Sequence, residues 1–384
     1  MTQAFDVCIR GAGVVGQTLA LLLARERLRV ALVAPPRPAD AAPPAADVRA
    51  YALNSASQKL LASLRCWPES DAATPVTDMR VYGDQGGSVH FSAQAQQTEA
   101  LTWIVDVPAL EARLADAVGF QPQIERVDSP QNAALTVVCE GRASRTREEF
   151  GVNYQTTPYP HTAIAARLEL PAPHQQCAQQ WFLPGQVMAF LPISGPQGNS
   201  VALVWSVPHH EVPELMSLSP ADFANRVAAG AGLPADSLRL SSERASWPLQ
   251  QSRADHWTGT VPTPEGQAAP QTTRRWALAG DAAHAVHPLA GQGLNLGLGD
   301  VAALARILRE RDYWRSVSDP KLLRRYERER KAGIWALGLA SDGLQWLFDH
   351  PLTPLPTARN WGMNQFDRSG PLKNWVTRLA MGLN

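Results

Sequence analysis

Residues 276–300 read WALAGDAAHAVHPLAGQGLNLGLGD, and this stretch decides how the rest of the chain is read. Trp276 to Ala279 is an apolar run of strand length that closes on Gly280-Asp281. A loop carrying Pro288 leads to Gly291-Gln292-Gly293, and then Leu294, Leu296, Leu298, Val301 and Leu304 recur at helical spacing. A strand, a glycine-rich loop and a helix start in that order form an anion cradle. Glycine lets the backbone approach a ligand closely, and the first N–H groups of a helix have no partner inside it. The same residues also describe a Gly/Ala-rich buried helix that packs tightly and binds nothing.

The N-terminus bears on that choice. Phe5 to Arg10 reads as a strand and is followed by Gly11-Ala12-Gly13-Val14-Val15-Gly16. Leu19 to Leu23 then reads as a buried helix and Arg29 to Val33 as a second strand. This is G-x-G-x-x-G inside a βαβ unit, the context in which it holds a dinucleotide pyrophosphate on the helix N-terminus. A tight turn without ligand is the alternative.

The two signatures lie about 270 residues apart, at opposite ends of the chain. That order resembles the FAD-dependent aromatic hydroxylases of the para-hydroxybenzoate hydroxylase fold, and within them the ubiquinone-biosynthesis hydroxylase family. The residues that carry the resemblance are GAGVVG (11–16), DVRAYALNSAS (47–57) and GDAAHAVHPLAGQGLNLGLGD (280–300). Weaker matches are WFLPGQVMAFLPI (181–193), LLRRYERERK (322–331) and the pattern over 359–382.

The resemblance implies an α/β chain with a Rossmann-like FAD-binding domain, an interleaved β-sheet substrate domain and a C-terminal helical region. The expected boundaries are 1–77, 100–150 and 272–320 for the first, 78–99 and 151–271 for the second, and 321–384 for the third. Carried over residue by residue, the FAD contacts are Gly11, Ala12, Gly13, Val14, Val15, Gly16, Arg49, Gly280, Asp281, Pro288, Gly291, Gly293, Leu294 and Asn295. Pro288, Gly291, Gln292 and Gly293 would border the reacting ring. The implied chemistry uses NAD(P)H and O2, and a flavin C4a-hydroperoxide hydroxylates the ring of a polyprenyl-phenol. A helix N-terminus aimed at the pyrimidine edge stabilises negative charge on the reduced flavin, and a dry pocket protects the oxygenated form.

Three departures from the family pattern stand out. The acidic residue expected after the second strand is replaced by Ala34 or Pro35, leaving Asp40 or a backbone group to take the ribose. One charge-assisted hydrogen bond is worth about 1.5–3 kcal/mol, or one to two decades in affinity. Glu140 stands for aspartate in a D-G-x-x-S-x-x-R element running to Arg147, which in the family touches both FAD and the pyridine nucleotide. The segment from Val118 to Gly141 is shorter than in typical members. These features keep two alternatives open: a flavin-binding or flavin-losing accessory subunit of a quinone-biosynthesis complex, and a hydroxylase of another small aromatic.

Between the signatures, residues 78–93 read as a β-hairpin, Trp103 to Val107 as a strand and Pro108 to Val118 as a helix. Residues 163–170, 186–191 and 200–207 read as strands of a large sheet, and residues 220–229 as a helix. Trp181, Phe182, Phe190 and Trp205 either roof an apolar pocket or form plain core. The charge run Arg324, Arg325, Glu327, Arg328, Glu329 and Arg330 reads as a solvated helix face.

Composition excludes several classes. Lys plus Arg total 35 and Asp plus Glu total 35, so no net charge draws the chain to nucleic acid. The four cysteines are scattered and suggest neither disulfides nor zinc. His284 and His287, spaced i, i+3, lack a carboxylate at ligand spacing, so no metal is expected and both read as structural hydrogen-bond partners. No run of apolar residues is long enough to span a bilayer. The expectation is a cytoplasmic protein, with a short basic-apolar tail (Lys373, Trp375, Arg378) that can touch the inner membrane, a quinone-biosynthesis assembly or a second copy of the chain.

Overall fold

The computed structural model describes residues 5–34, 48–84, 86–262, 273–285 and 292–349, and four short pieces of the tail (365–367, 369–370, 373–374 and 377–378). Side chains of the last long helix are described to residue 334.

In chain order the first half comprises β1 (Phe5–Arg10), α1 (Val14–Arg25), β2 (Val30–Val33), β3 (Ala50–Leu53), α2 (Ser55–Ser63), β4 (Ala73–Val76), β5 (Asp78–Tyr82), β6 (Ser88–Ser92), β7 (Thr102–Asp106), α3 (Val107–Gly119), β8 (Ile124–Val127), β9 (Ala133–Val138) and α4 (Arg145–Glu149). The second half comprises β10 (Tyr154–Glu169), β11 (Cys177–Leu183), β12 (Gln186–Pro192), β13 (Ser200–Pro208), α5 (Val212–Ser217), α6 (Pro220–Ala231), β14 (Arg239–Leu240), β15 (Ala245–Ala254), β16 (Thr258–Thr260), β17 (Arg275–Leu278), β18 (His284–Ala285), α7 (Gly293–Arg309) and α8 (Pro320–Asp349).

Among the described residues β16-β17-β9-β1-β2-β8 form a six-stranded sheet, parallel except for β16. Val7 to Ile9, Val30 to Val33, Leu135, Val137 and Trp276 to Leu278 are all buried, and the face carrying Val7, Ile9, Leu135 and Val137 packs against α1, α3 and α7. Leu19 and Leu23 on α1 are fully buried in the same core, each stabilising it by about 1.5–3 kcal/mol. Strand register decides where the loops emerge. Val138 of β9 is paired with both Arg10 of β1 and Leu278 of β17, so the three strands end at one level. The chain therefore leaves the sheet side by side at Gly11, at Cys139-Glu140 and at Ala279-Gly280.

The largest sheet runs β18-β15-β10-β13-β12-β11-β5-β6, with β14 on β10. One face packs against α5 and α6 through Ile164, Leu168, Met188, Phe190, Leu203, Trp205 and Phe223. Phe190 and Trp205 are thus core, the second of the two readings open for them. Trp181 joins them, with its ring 4.9 Å from Phe190 and stacked on Tyr82 at 5.7 Å. A small sheet, β3-β7-β4, lies between the two large ones and contributes Leu53, Ala73 and Val105 to the main core.

Several elements differ from the sequence expectation. β10 begins at Tyr154, well before Ala163, and β15 was not anticipated at all. Both carry prolines that lower strand propensity, but Pro158 sits where the β10–β15 register shifts and Pro248 lies opposite Thr162 just past that shift. β11 pairs with β5, about 100 residues earlier, a partner invisible to local pattern. The hairpin β5–β6 and the strand–helix pair β7–α3 match expectation within a residue or two. Two short strands cross the expected boundaries: β16, placed with the substrate domain, pairs in the six-stranded sheet, and β18, placed with the cofactor domain, pairs with β15. Backbone pairing outweighs local composition in runs this short. The α8 charge run is also not uniformly solvated. Glu327 and Arg330 turn inward, because buried N–H and carboxylate groups of neighbouring elements need partners.

Candidate cofactor site

The G-x-G-x-x-G turn is built by close approach. Gly11 adopts φ +113°, and a Cβ there would lie 2.5 Å from the Cys139 carbonyl oxygen. A Cβ on Gly16 would lie 1.9 Å from the Gly11 carbonyl oxygen. Only hydrogen fits at either place. Gly13, by contrast, faces open space and is the N-cap of α1 without any side-chain cap, so the first N–H groups of that helix stay available. The side chains of Val14 and Val15 pack rather than project: Val14 is buried, and Val15 seats between Gly280 and Gly297. A Cβ on Gly297 would come within 2.9 Å of the Val15 side chain and 3.3 Å of the Gly280 Cα. The two glycine signatures are therefore in direct contact across α1 and α7.

The second helix start repeats the first. α7 begins at Gly293, which no described residue crowds, and its N-cap Gln292 makes no side-chain capping bond. Leu294 packs against the main core. Asn295 is buried and fully engaged: its Oδ1 accepts from the Asn54 N–H at 3.0 Å and the Ser57 hydroxyl at 2.7 Å. Its Nδ2 donates to the Ala52 carbonyl at 2.8 Å and to Gln292 Oε1 at 3.2 Å. That side chain fixes α7 onto β3 and α2, so any contact it makes with a cofactor falls to its backbone. Pro288, Gly291 and His287 lie outside the described residues, as do Pro35 and Asp40. Ala34 is described, and its N–H donates to Val127 at the end of β2.

Asp281 follows Gly280, whose φ of +63° turns the chain sharply at the end of β17. Partial desolvation, with the nearby Asp300, raises the Asp281 carboxyl from its ordinary value, against the pull of Arg142, His284 and Arg49. Arg142 Nε stands 3.7 Å from Asp281 Oδ2. The Asp281 backbone carbonyl accepts from the Tyr154 hydroxyl at 2.7 Å, and the Arg147 guanidinium lies 3.5 Å over the Tyr154 ring. Arg147 is itself buried and donates to the carbonyls of Ala282 (3.3 Å) and Arg142 (2.8 Å). Arg49 remains exposed, beside Tyr51.

Glu140 lies two residues past β9, an inner strand of the six-stranded sheet. Its carboxylate accepts from Ser144 Oγ (2.7 Å), Thr146 Oγ1 (2.6 Å) and the Thr146 N–H (3.1 Å), and so anchors the start of α4. Arg10 Nε lies 3.2 Å away, close but not aligned as a hydrogen bond. Burial alone would raise the Glu140 pKa; the bonds from Thr146 and Ser144, with Arg10, outweigh it and hold the group ionised.

The sequence reading missed a buried charge cluster behind the turn. Asp300 Oδ2 accepts from the Gly280 N–H at 2.9 Å and contacts His284 Nε2 at 2.7 Å, while Oδ1 accepts from Arg330 Nε at 2.7 Å. His284 is thus a structural partner, stacked on Trp257. Its carboxylate lies sixteen residues on, at a spacing no ligand motif would suggest.

The arrangement fits an extended dinucleotide. Two uncapped helix N-termini, each with a glycine that no described residue crowds, converge beside a carboxylate that can bind sugar hydroxyls. The FAD binding domain family matches residues 93–339, most of the chain. The chain belongs to this family, the FAD-dependent aromatic hydroxylases. Among curated relatives it is 31% identical to the Ubiquinone hydroxylase UbiL of Rhodospirillum rubrum, over 98% of this chain and 89% of that protein. It is 27% identical to the 3-demethoxyubiquinol 3-hydroxylase of Escherichia coli, over 99% of each. Among solved structures, the p-nitrophenol 4-monooxygenase PnpA of Pseudomonas putida superposes with a TM-score of 0.71 at 17% identity, covering 99% of this chain and 97% of that one, a likeness of fold. Membership makes the chain a flavoprotein monooxygenase that uses FAD and NAD(P)H.

Proposed function

We propose that the chain hydroxylates the aromatic ring of a polyprenyl-phenol in ubiquinone biosynthesis, with O2 as the oxygen source and NAD(P)H as the reductant. The relatives named for ubiquinone hydroxylation support the substrate class. The observation that carries the reading is the contact of Val15 with both Gly280 and Gly297, which packs the first turns of α1 and α7 together beside the Gly280-Asp281 turn.

In this reading Gly11, Ala12, Gly13 and Gly16 hold the pyrophosphate on α1, and Asp281 holds the ribitol or an adjoining hydroxyl. Arg49 lies along the cofactor. Pro288, Gly291, Gln292 and Gly293 border the ring, with the N-terminus of α7 stabilising negative charge there. FAD supplies the electron transfer and oxygen activation when bound. The protein's part is to bind, orient and exclude water; the net reaction converts a ring C–H, O2, NAD(P)H and a proton into C–OH, water and NAD(P)+.

The proposed units are 1–77, 100–150 and 272–320 for the cofactor, 78–99 and 151–271 for the substrate, and 321–384 as a C-terminal helical region. Among the described residues no helix is long and apolar enough to cross a membrane, so access to a membrane-borne substrate would be peripheral, through the tail or through a partner. The test is a deletion strain: it should accumulate a prenyl-phenol lacking one hydroxyl, and purified protein should be yellow and oxidise NAD(P)H faster when given that compound. A colourless protein that takes up no FAD would leave the accessory-subunit reading; an unchanged quinone profile would leave another small aromatic as substrate.

A further inference from the structure

The C-terminal helix α8 reaches the cofactor turn through one buried relay. Arg330 donates from Nε to Asp300 Oδ1 at 2.7 Å and from Nη2 to the Leu296 carbonyl at 3.1 Å. Asp300, fully buried on α7, passes the connection on through its other oxygen, which takes the Gly280 N–H and His284. The Gly280 N–H immediately precedes Asp281, and Gly280 also lies against Val15 of the first signature. Gly299 makes room for the guanidinium: a Cβ there would sit 2.9 Å from Arg330 Nη2 and 3.3 Å from its Cζ. Two neighbouring residues of α8 bond to the segments beside the turn without touching Asp300. Tyr326 Oη donates to the Leu278 carbonyl, and Glu327 accepts from the Trp257 N–H and the Thr258 hydroxyl.

We infer that Arg330 is a positioning residue for FAD: it orients Asp300, and Asp300 in turn sets the Gly280-Asp281 turn at the geometry the cofactor requires. The inference rests on the proposal that this cleft binds flavin. Its physical basis is that a carboxylate with two oxygens and no solvent must satisfy both. With Oδ1 held by the Arg330 Nε–H, Oδ2 is left pointing at Gly280 and His284. Without Arg330 the buried carboxylate has only one side neutralised, and it rotates or draws water toward Oδ1. The turn then loses its fixed N–H acceptor while the strand and helix around it persist.

The experiment compares the full-length protein with Arg330→Met, Arg330→Lys, Gly299→Ala and Glu327→Gln, each titrated with FAD by flavin fluorescence and melted without FAD. Arg330→Met should weaken FAD binding about tenfold, a 1.4 kcal/mol change. Gly299→Ala should weaken it in the same direction although it deletes no charge and improves helix propensity, because its methyl displaces the guanidinium. Arg330→Lys should recover part of the loss by keeping a cation on Asp300. Glu327→Gln should lower the melting temperature while leaving FAD affinity within about twofold of wild type. If the folded Arg330→Met and Gly299→Ala proteins bind FAD as wild type does, or if Glu327→Gln weakens binding as much as they do, the inference is overturned while the flavin reading stands. Should Arg330→Met fail to fold, Gly299→Ala decides alone. A wild-type protein that takes up no FAD removes the flavin reading and this inference with it.

Discussion

The Tyr154 hydroxyl donates to the backbone carbonyl of Asp281 at 2.7 Å, so the first residue of the longest strand is bonded to the cofactor turn of the other sheet. Arg147 reinforces this junction from the far side of the ring, through its guanidinium face and its bond to the Ala282 carbonyl. Tyr154→Phe keeps the ring under Arg147 and removes the hydroxyl, with its bond to Asp281 and its contact with Ser252. It should lower unfolding stability by about 0.5–1.5 kcal/mol and weaken FAD binding measurably. Denaturant melts and a fluorescence titration check both; unchanged values would make Tyr154 simple packing.

Contact between the two glycine signatures makes a paired prediction. Gly297→Ala places a methyl 2.9 Å from the Val15 side chain, with the Gly280 Cα only slightly farther off. Overpacking of this kind costs about 1–3 kcal/mol. Val15→Ala opens the space from the other side. The double variant Val15→Ala, Gly297→Ala should be less destabilised than the sum of the two single changes. Strict additivity in urea unfolding would mean the two sites do not press on each other.

Gly13 invites a substitution whose two effects have opposite signs. The position has ordinary φ, open space around it and no capping side chain. Gly13→Asp supplies a favourable N-cap and should leave the FAD-free protein as stable as wild type or a few tenths of a kcal/mol more so. The same carboxylate would face the pyrophosphate and should weaken FAD binding by at least tenfold. Binding that survives the added charge would place the pyrophosphate elsewhere.

Glu140 gives a pH dependence with a definite sign. Its folded pKa lies below the ordinary value, since the bonds from Thr146 and Ser144 and the nearby Arg10 outweigh burial. A depressed carboxylate pKa contributes stability that is present above the unfolded-state value, about 4.3, and is lost as pH falls through the folded value. Glu140→Gln should therefore be clearly less stable than wild type at neutral pH, with the gap narrowing as the pH drops below about 4. A gap that is constant across that window would mean the carboxylate is not held by its charge.

Some of this was legible from local pattern. The βαβ unit at the N-terminus, the strand–loop–helix at 276–300 and the hairpin β5–β6 all rest on contacts a few residues apart or on periodicity within one element. Prolines hid β15 and the first half of β10, because their tolerance at those positions depends on a register shift that only the paired strand creates. β11 has one distant partner, β5, but its other partner is β12 across Pro184-Gly185, a local hairpin that the sequence offered and the reading passed over.

By itself the sequence determined that two glycine-bearing helix starts would exist, since glycines set between a strand-length apolar run and a helically spaced one are a local pattern at both 11–16 and 291–293. Their meeting was decided by tertiary structure: parallel strands ending at one level bring Gly11, Glu140 and Gly280 side by side. The same holds for Asp300, His284 and Arg330, which are ordinary charged residues in any local window. Burial leaves Asp300 and His284 without water, so they take each other and the partly covered Arg330 as partners, and that constraint arises only once α7 and α8 have packed against the sheet.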